Sequence, residues 1–100
     1  MQLKQLEKIA KALGDVNRLK ILEGMALNGG GMQCAQITGN ISLAQPSVSH
    51  HIKSLIEAGL IEPAKEGRCY SYTINKALLK EYAKKIAMFA ANKEVPQVKK

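Results

Sequence analysis

Apolar residues recur at helical spacing in two segments near the amino terminus. In the segment 3–13 they fall every three or four positions, with lysines between them: Leu3, Leu6, Ile9, Ala10 and Leu13. Gly14 predicts the end of this helix, and Asp15 predicts the N-cap of a second helix over 16–27. The positions that we expect this second helix to bury are Leu19, Leu22 and Ala26.

A run of glycines separates these helices from the next predicted element. Asn28-Gly29-Gly30-Gly31 is typical of a helix C-cap followed by a turn. It does not match a phosphate-binding loop, because no Gly-Lys-Ser/Thr follows it. The next residues predict a short helix over 32–38 that directs three side chains inward: Met32, Cys34 and Ile37.

The segment 43–60, LAQPSVSHHIKSLIEAGL, predicts a further helix with two different sides. Pro46 suits its first turn, and Gly59 suits its left-handed C-terminal cap. One side is an apolar stripe of Val48, Ile52, Leu55 and Ile56. The other side is polar, with short or basic residues first: Ser47, Ser49, His50, Lys53 and Glu57. Such a side can approach the major groove of DNA and donate hydrogen bonds to base edges, although an ordinary solvated face is the alternative.

The two adjacent histidines of this segment are expected to have different roles. His50 falls away from the apolar stripe, which makes it a candidate donor to a base or a phosphate. His51 follows Val48 by three residues and precedes Leu55 by four, so we interpret it as a partly buried packing residue.

The segments 61–65 and 69–74 have strand spacing and are joined by Glu66-Gly67-Arg68, which predicts a β-hairpin. The turn of this hairpin would present Lys65 and Arg68. Asn75 can cap a last helix over 76–91 that carries many apolar residues: Leu78, Leu79, Tyr82, Ala83, Ile86, Phe89 and Ala90.

Composition adds little to the fold but restricts the partners. One hundred residues with 46% apolar content predict one small domain, which we assign to residues 1–91, followed by a basic tail over 92–100. The net charge of +7 suits a polyanion such as nucleic acid. No apolar run reaches the length of a membrane span and no signal-peptide pattern opens the chain, so we expect a cytoplasmic protein with reduced thiols at Cys34 and Cys69.

The predicted order of helices followed by a hairpin is the layout of a winged helix–turn–helix, and three motifs resemble the ArsR/SmtB repressors. Leu13-Gly14-Asp15 followed by NRLKIL is similar to the opening LGDxxRLxIL of that family. QPSVSHHI is similar to its recognition helix, and Ala58-Gly59-Leu60-Ile61 with Gly67-Arg68 and Tyr72 is similar to its wing. The resemblance runs from about Leu6 to Ile86. It implies a mainly α, homodimeric transcriptional repressor with a small β-hairpin wing.

The resemblance also implies which residues bind double-stranded DNA at an inverted-repeat operator. The positions that face the groove in the family are Gln45, Ser47, Ser49 and His50. The residues better placed for phosphates are Lys53, Lys65 and Arg68, although the last two are also compatible with a solvated hairpin tip. Ala44 departs from the family, which usually has Ser or Thr there as a possible helix cap.

In the family the first and last helices form the dimer contact, and both helices here have wider apolar stripes than a small domain covers alone. The residues that we assign to this interface are Leu6, Ile9, Leu78, Tyr82, Ile86 and Phe89. The alternative is that both helices pack only onto the core of their own subunit.

The metal sites of the family are absent from this sequence, and we predict no cofactor. One family site needs a cysteine and an acid where this chain has Gln33 and Gln36. The other needs Asp, His and Glu on the last helix, where this chain has Lys76, Leu78, Phe89 and Asn92.

The leading interpretation is an operator-specific repressor with an unknown effector. Two alternatives to it stay open, and a third is set aside. Cys34 takes a position that a core valine often fills in the family, so we interpret it as packing, but a thiol or redox switch at Cys34 or Cys69 is an alternative. A nonspecific nucleoid-type protein is another. An enzyme is not expected, because His50 and His51 have no suggested acid or nucleophile beside them.

Overall fold

A computed structural model describes residues 1–33, 45–67 and 69–91, and at positions 45, 46, 66 and 69 it describes the backbone only. The described elements are, in chain order, α1 (Leu3–Leu13), α2 (Val16–Leu27), β1 (Gly31–Gln33), α3 (Gln45–Glu57), β2 (Ile61–Glu66), β3 (Cys69–Ile74) and α4 (Lys76–Ala91). The predicted bounds of α1, α2 and α4 are confirmed.

The turn between α1 and α2 forms as the sequence predicts. The backbone N–H of Asn17 donates a hydrogen bond to Oδ1 of Asp15 over 2.8 Å, so the Asp15 side chain caps α2. This hydrogen bond lowers the pKa of the Asp15 carboxyl below its ordinary value, with smaller contributions from nearby His51 and Arg18. The negative charge therefore stabilises the first turn of α2.

Replacing Asp15 with alanine will lower the free energy of unfolding at neutral pH, because α2 loses its N-cap. Since the pKa of this carboxyl is lower in the folded protein than its ordinary 3.8, its contribution is complete above that value and is lost as the pH falls through the lowered pKa. Urea unfolding of wild type and variant at neutral and strongly acidic pH measures the difference. The Asp15→Asn variant, which retains a capping oxygen, is the control, and equal stability of wild type and Asp15→Ala at neutral pH would contradict the prediction.

The buried side of α2 differs from the predicted one. Ile21, Leu22 and Met25 are buried, whereas Leu19 is 47% exposed and Ala26 is also exposed. Only Leu22 of the predicted set was correct. The reason is that α2 has apolar residues all around it, since Val16 and Leu27 are exposed on its outer side as well, so spacing alone did not fix which side is buried.

A short strand begins where the sequence analysis placed a helix. Residues Gly31–Gln33 form β1, which pairs antiparallel with β3 so that Met32 lies opposite Tyr72. The start of the predicted helix over 32–38 is therefore wrong, and the remainder lies outside the described residues. The sheet has the order β1-β3-β2, with β3 in the centre. A strand of three residues is too short to show an alternating pattern, which is why the sequence did not reveal it.

The core lies between the helices and one face of this sheet. Its fully buried side chains come from α1, α2, α3 and the segment that follows α3: Ile9, Ile21, Met25, Val48, Leu55, Leu60 and Ile61. Leu78, Leu79 and Tyr82 of α4 are only partly buried against this cluster. The apolar stripe predicted for α3 is confirmed, because Ile52 is also buried and Ile56 packs at its margin.

The end of α3 fixes where the hairpin starts. Gly59 has φ +82°, its N–H donates to Ile56 O, and the N–H of Leu60 donates to Leu55 O. This is the Schellman arrangement, which confirms the predicted left-handed cap. A side chain at position 59 would also place Cβ 3.1 Å from Cδ2 of Leu78. The chain therefore changes direction at Gly59, and β2 begins two residues later beside α3.

Candidate nucleic-acid interface

The outer side of α3 is exposed and polar along its first two turns. Ser47, Ser49, His50 and Lys53 are all exposed. Val48 between them is completely buried, as is Leu55 on the same inner side. The predicted division of this helix into a buried apolar stripe and an exposed polar side is therefore present in the structure. Three of the four residues predicted to face a groove lie on the exposed side; the fourth, Gln45, begins α3, but its side chain lies outside the described residues.

His51 is buried, as predicted, and it has a hydrogen-bond partner that the sequence analysis did not find. Nε of Arg18 donates to Nδ1 of His51 over 3.1 Å. Nη1 of Arg18 also donates to the backbone carbonyl of Lys11 over 3.4 Å. Arg18 therefore joins the end of α1 and the start of α2 to the inner side of α3. A buried histidine needs such a donor or acceptor, and this need is the signal that could have led to Arg18.

The two histidine rings lie close together but serve different surfaces. The centroids of His50 and His51 are 5.9 Å apart, with 54° between the ring planes. His50 is exposed on the outer side of α3, whereas His51 is directed into the protein. Their predicted separation into a surface donor and a packing residue agrees with this placement.

The hairpin formed by β2 and β3 extends beyond the core next to α3. Pairing runs from Ile61 opposite Ile74 to Glu66 opposite Cys69, with Gly67 in the turn at φ +65°. Lys65 lies near the tip and is exposed. Arg68, predicted for the same role, lies outside the described residues. A shallow groove separates the hairpin from α3 and is lined by Ser49, Ile52, Lys53, Ile56 and Tyr72.

The second candidate surface is apolar and lies on α1 and α4. None of the residues of α4, all of which are described, is buried within the chain. Ile86 is 40% exposed and Phe89 is 61% exposed, with Met88 and Leu3 of α1 also exposed. The terminal amine of Met1 lies 3.7 Å from Oε2 of Glu81, which brings the start of α1 next to α4.

Two of the residues predicted for a dimer contact are already covered by their own chain. Ile9 has no exposed surface and Leu6 is almost as deeply buried, so a partner could cover almost nothing more of either side chain. Leu78 and Tyr82 keep part of their surface exposed. The exposed apolar residues Ile86 and Phe89 are therefore the members of the predicted set with most surface left to bury.

Both predicted thiol positions fall at the edges of the described ranges. Cys34 lies outside the described residues, and of Cys69 only the backbone, at the start of β3, is described.

Gln33, at a position where the family has a metal ligand, is exposed in β1. Within the described ranges, no group of three His, Cys, Asp or Glu side chains is arranged to hold a metal ion. No helix among the described elements is long and apolar enough to cross a membrane.

Comparison with known proteins gives consistent matches. Residues 15–62 match the family described as "Bacterial regulatory protein, arsR family". The chain is 35% identical over 79 residues to the arsenical resistance operon repressor of Staphylococcus aureus, which covers 79% of this chain and 74% of that protein.

Two solved structures have a similar fold. An ArsR-like transcriptional regulator from Rhodococcus sp. RHA1 has a TM-score of 0.76 at 24% identity, covering 89% of this chain and 82% of that one. A homodimeric winged helix–turn–helix DNA-binding domain from Mycobacterium bovis has a TM-score of 0.69 at 23% identity, covering 98% of this chain and 90% of that one.

The chain is a winged helix–turn–helix domain, because its helices pack on a three-stranded antiparallel sheet and α3 lies beside a projecting hairpin. Together with the sequence matches, the fold assigns the chain to a family. The protein belongs to the ArsR family of bacterial regulatory proteins. The resemblance inferred from the LGD, QPSVSHHI and AGLI motifs is thereby confirmed.

Proposed function

We propose that this protein is a sequence-specific transcriptional repressor that binds an inverted-repeat operator as a homodimer. The observation that carries the proposal is the exposed polar side of α3, held in place by buried residues on its inner side. Ser49 and His50 offer small donors that reach base edges in a major groove, which is wide enough to admit an α-helix. The sequence similarity to the arsenical resistance operon repressor of Staphylococcus aureus supports the same role.

Contacts to phosphates would fix the position of α3 along the duplex. Lys53 is exposed on α3, one turn after Ser49, and Lys65 is exposed near the tip of the hairpin, so both cations are accessible to a duplex. Arg68 is proposed for the same role from its place in the turn sequence. Phosphate contacts supply affinity and orientation, whereas base contacts supply the sequence preference.

The homodimer is proposed from the apolar surface that the single chain leaves uncovered. Leu3, Ile86, Met88 and Phe89 are exposed on α1 and α4, and a second copy would cover them. Each large apolar side chain that becomes fully buried contributes about 1.5–3 kcal/mol. Leu6 and Ile9 would support this surface from the core behind it. The homodimeric neighbour from Mycobacterium bovis is consistent with such an arrangement.

Selection from a pool of random duplexes tests the proposal. The purified protein should enrich a sequence with two-fold symmetry and, at physiological salt, prefer that sequence over bulk DNA by at least about 10³-fold. Equal binding to bulk DNA would overturn operator specificity and favour the nonspecific nucleoid-type alternative. Failure to bind any duplex would overturn the proposal entirely.

Lys65→Ala should weaken binding to all sequences alike, because Lys65 is proposed to contact a phosphate and not a base. With two copies in the dimer, the slope of the logarithm of affinity against the logarithm of salt concentration should become shallower by about 2. Lys80→Ala removes an equal charge from the exposed side of α4 and is the matched control. An unchanged salt slope in Lys65→Ala would exclude a phosphate contact at this position.

A further inference from the structure

The hairpin carries an exposed aromatic side chain, Tyr70. It lies outside the core cluster, and none of the proposed base and phosphate contacts involves it. Tyr70 is 49% exposed, although it lies in the central strand β3. It pairs directly with Lys65 on β2. Side chains of directly paired residues lie on the same face of a sheet, so Tyr70 and Lys65 project together.

Alternation along the strands shows which face this is. Residues 61, 63 and 65 share one face of β2, and residues 70, 72 and 74 share the corresponding face of β3. At the base of the hairpin this face belongs to the core, because Ile61 is buried and Ile74 packs against the core. Further along, Tyr72 lines the groove beside α3 together with Ser49 and Lys53. Tyr70 is therefore the next residue of this face toward the tip.

The distribution of charge also distinguishes the two faces of the hairpin. The face shared by Tyr70 carries Lys65, and Lys53 stands across the groove on α3. Glu62 precedes Pro63 on β2 and is exposed on the opposite face. This distribution of charge favours the approach of a polyanion to the first face. A phosphate backbone that passes between α3 and the hairpin would therefore meet the Tyr70 side.

We infer that Tyr70 is a further DNA contact, whose phenol hydroxyl donates a hydrogen bond to a phosphate oxygen beside the position of Lys65. This inference rests on the proposed function, since it requires α3 to enter the groove next to the hairpin. The hydroxyl is a donor that phosphate oxygens accept, and the ring offers an apolar edge to the adjacent sugar. Tyr70 orients the duplex along the hairpin, while the charge of Lys65 supplies attraction without directional preference.

The Tyr70→Phe variant isolates the hydroxyl because it retains the ring. It should bind the selected operator about fivefold to 150-fold more weakly, since each of two copies loses one hydrogen bond. Thermal unfolding should be unchanged, because Tyr70 lies outside the core cluster. Thr73→Ala, on the same strand but the opposite face, is the matched control and should bind as wild type does.

A second measurement identifies the partner atom. Operators in which one phosphate and its symmetry-related phosphate in the other half-site are both replaced by neutral methylphosphonates should include one such pair, near the hairpin, at which wild type and Tyr70→Phe bind equally. If Tyr70→Phe binds every duplex as wild type does, the inference is wrong, while the proposed function stands provided that Ser49→Ala still weakens operator binding. If the wild-type protein selects no duplex, the proposed function and this inference both fail.

Discussion

Phe89→Glu will convert the protein into a monomer and remove its affinity for the operator. Phe89 is 61% exposed in the single chain, at the end of α4 where the proposed dimer surface lies. The substitution removes an apolar side chain whose burial contributes about 1.5–3 kcal/mol per copy. It also places two carboxylates in a surface that excludes water, which costs more than the lost burial. The dimer dissociation constant should rise by at least about a hundredfold.

Sedimentation at micromolar concentration measures this change, and Leu27→Glu provides the control. Leu27 is 84% exposed on α2, so the same apolar-to-acidic change is made outside the proposed dimer surface. This variant should remain a dimer and bind the operator. A wild-type protein that sediments as a monomer would overturn the interface, as would a Phe89→Glu variant that sediments as wild type does.

Ser49→Ala and His50→Ala, each made separately, will remove most of the preference for the operator while leaving binding to bulk DNA unchanged. Both side chains are exposed on the outer side of α3, between the buried residues Val48 and His51. Loss of a base contact costs about 1–3 kcal/mol, and a two-fold dimer loses each contact twice. The expected loss of specific affinity is therefore about 2–6 kcal/mol for each variant.

Competition binding with operator and bulk DNA separates this effect from a loss of folding. Ser71→Ala makes the matched serine substitution on the hairpin face opposite Tyr70 and should bind the operator as wild type does. Lys65→Ala should lower both affinities together. If His50→Ala retains the full operator preference, the assignment of His50 to the groove is wrong.

The sequence specified the helices well because their signals are local. Asp15 caps α2, Gly59 ends α3 and Asn75 caps α4, where its Oδ1 accepts a hydrogen bond from the N–H of Leu78. Each signal depends on residues within a few positions of one another, so no knowledge of tertiary contacts was needed. The two sides of α3 followed from periodicity alone, and burial of His51 followed with them.

Features that depend on distant residues could not be predicted in the same way. The strand β1 forms by pairing with β3, in which Met32 lies opposite Tyr72, about forty residues later in the chain. The contact of Arg18 with His51 joins residues 33 positions apart. Leu6 and Ile9 were assigned to a dimer surface because the resemblance implies a dimer contact at α1 and because the apolar stripe of α1 is wide. Periodicity does not distinguish residues that are buried in the core of their own chain, as these two are, from residues that a partner covers. Similarly, the exposure of Tyr70 depends on how far the hairpin extends beyond the core.

Methylation interference and hydroxyl-radical footprinting on the selected operator test most directly whether two copies of α3 enter successive major grooves. The predicted result is two equal patches of major-groove contact, related by two-fold symmetry and centred about 34 Å apart along the duplex. Substitution of Ser49 should remove the base contact assigned to this side chain from both patches and leave the contacts assigned to His50. A single patch, or protection without two-fold symmetry, would contradict the proposed arrangement.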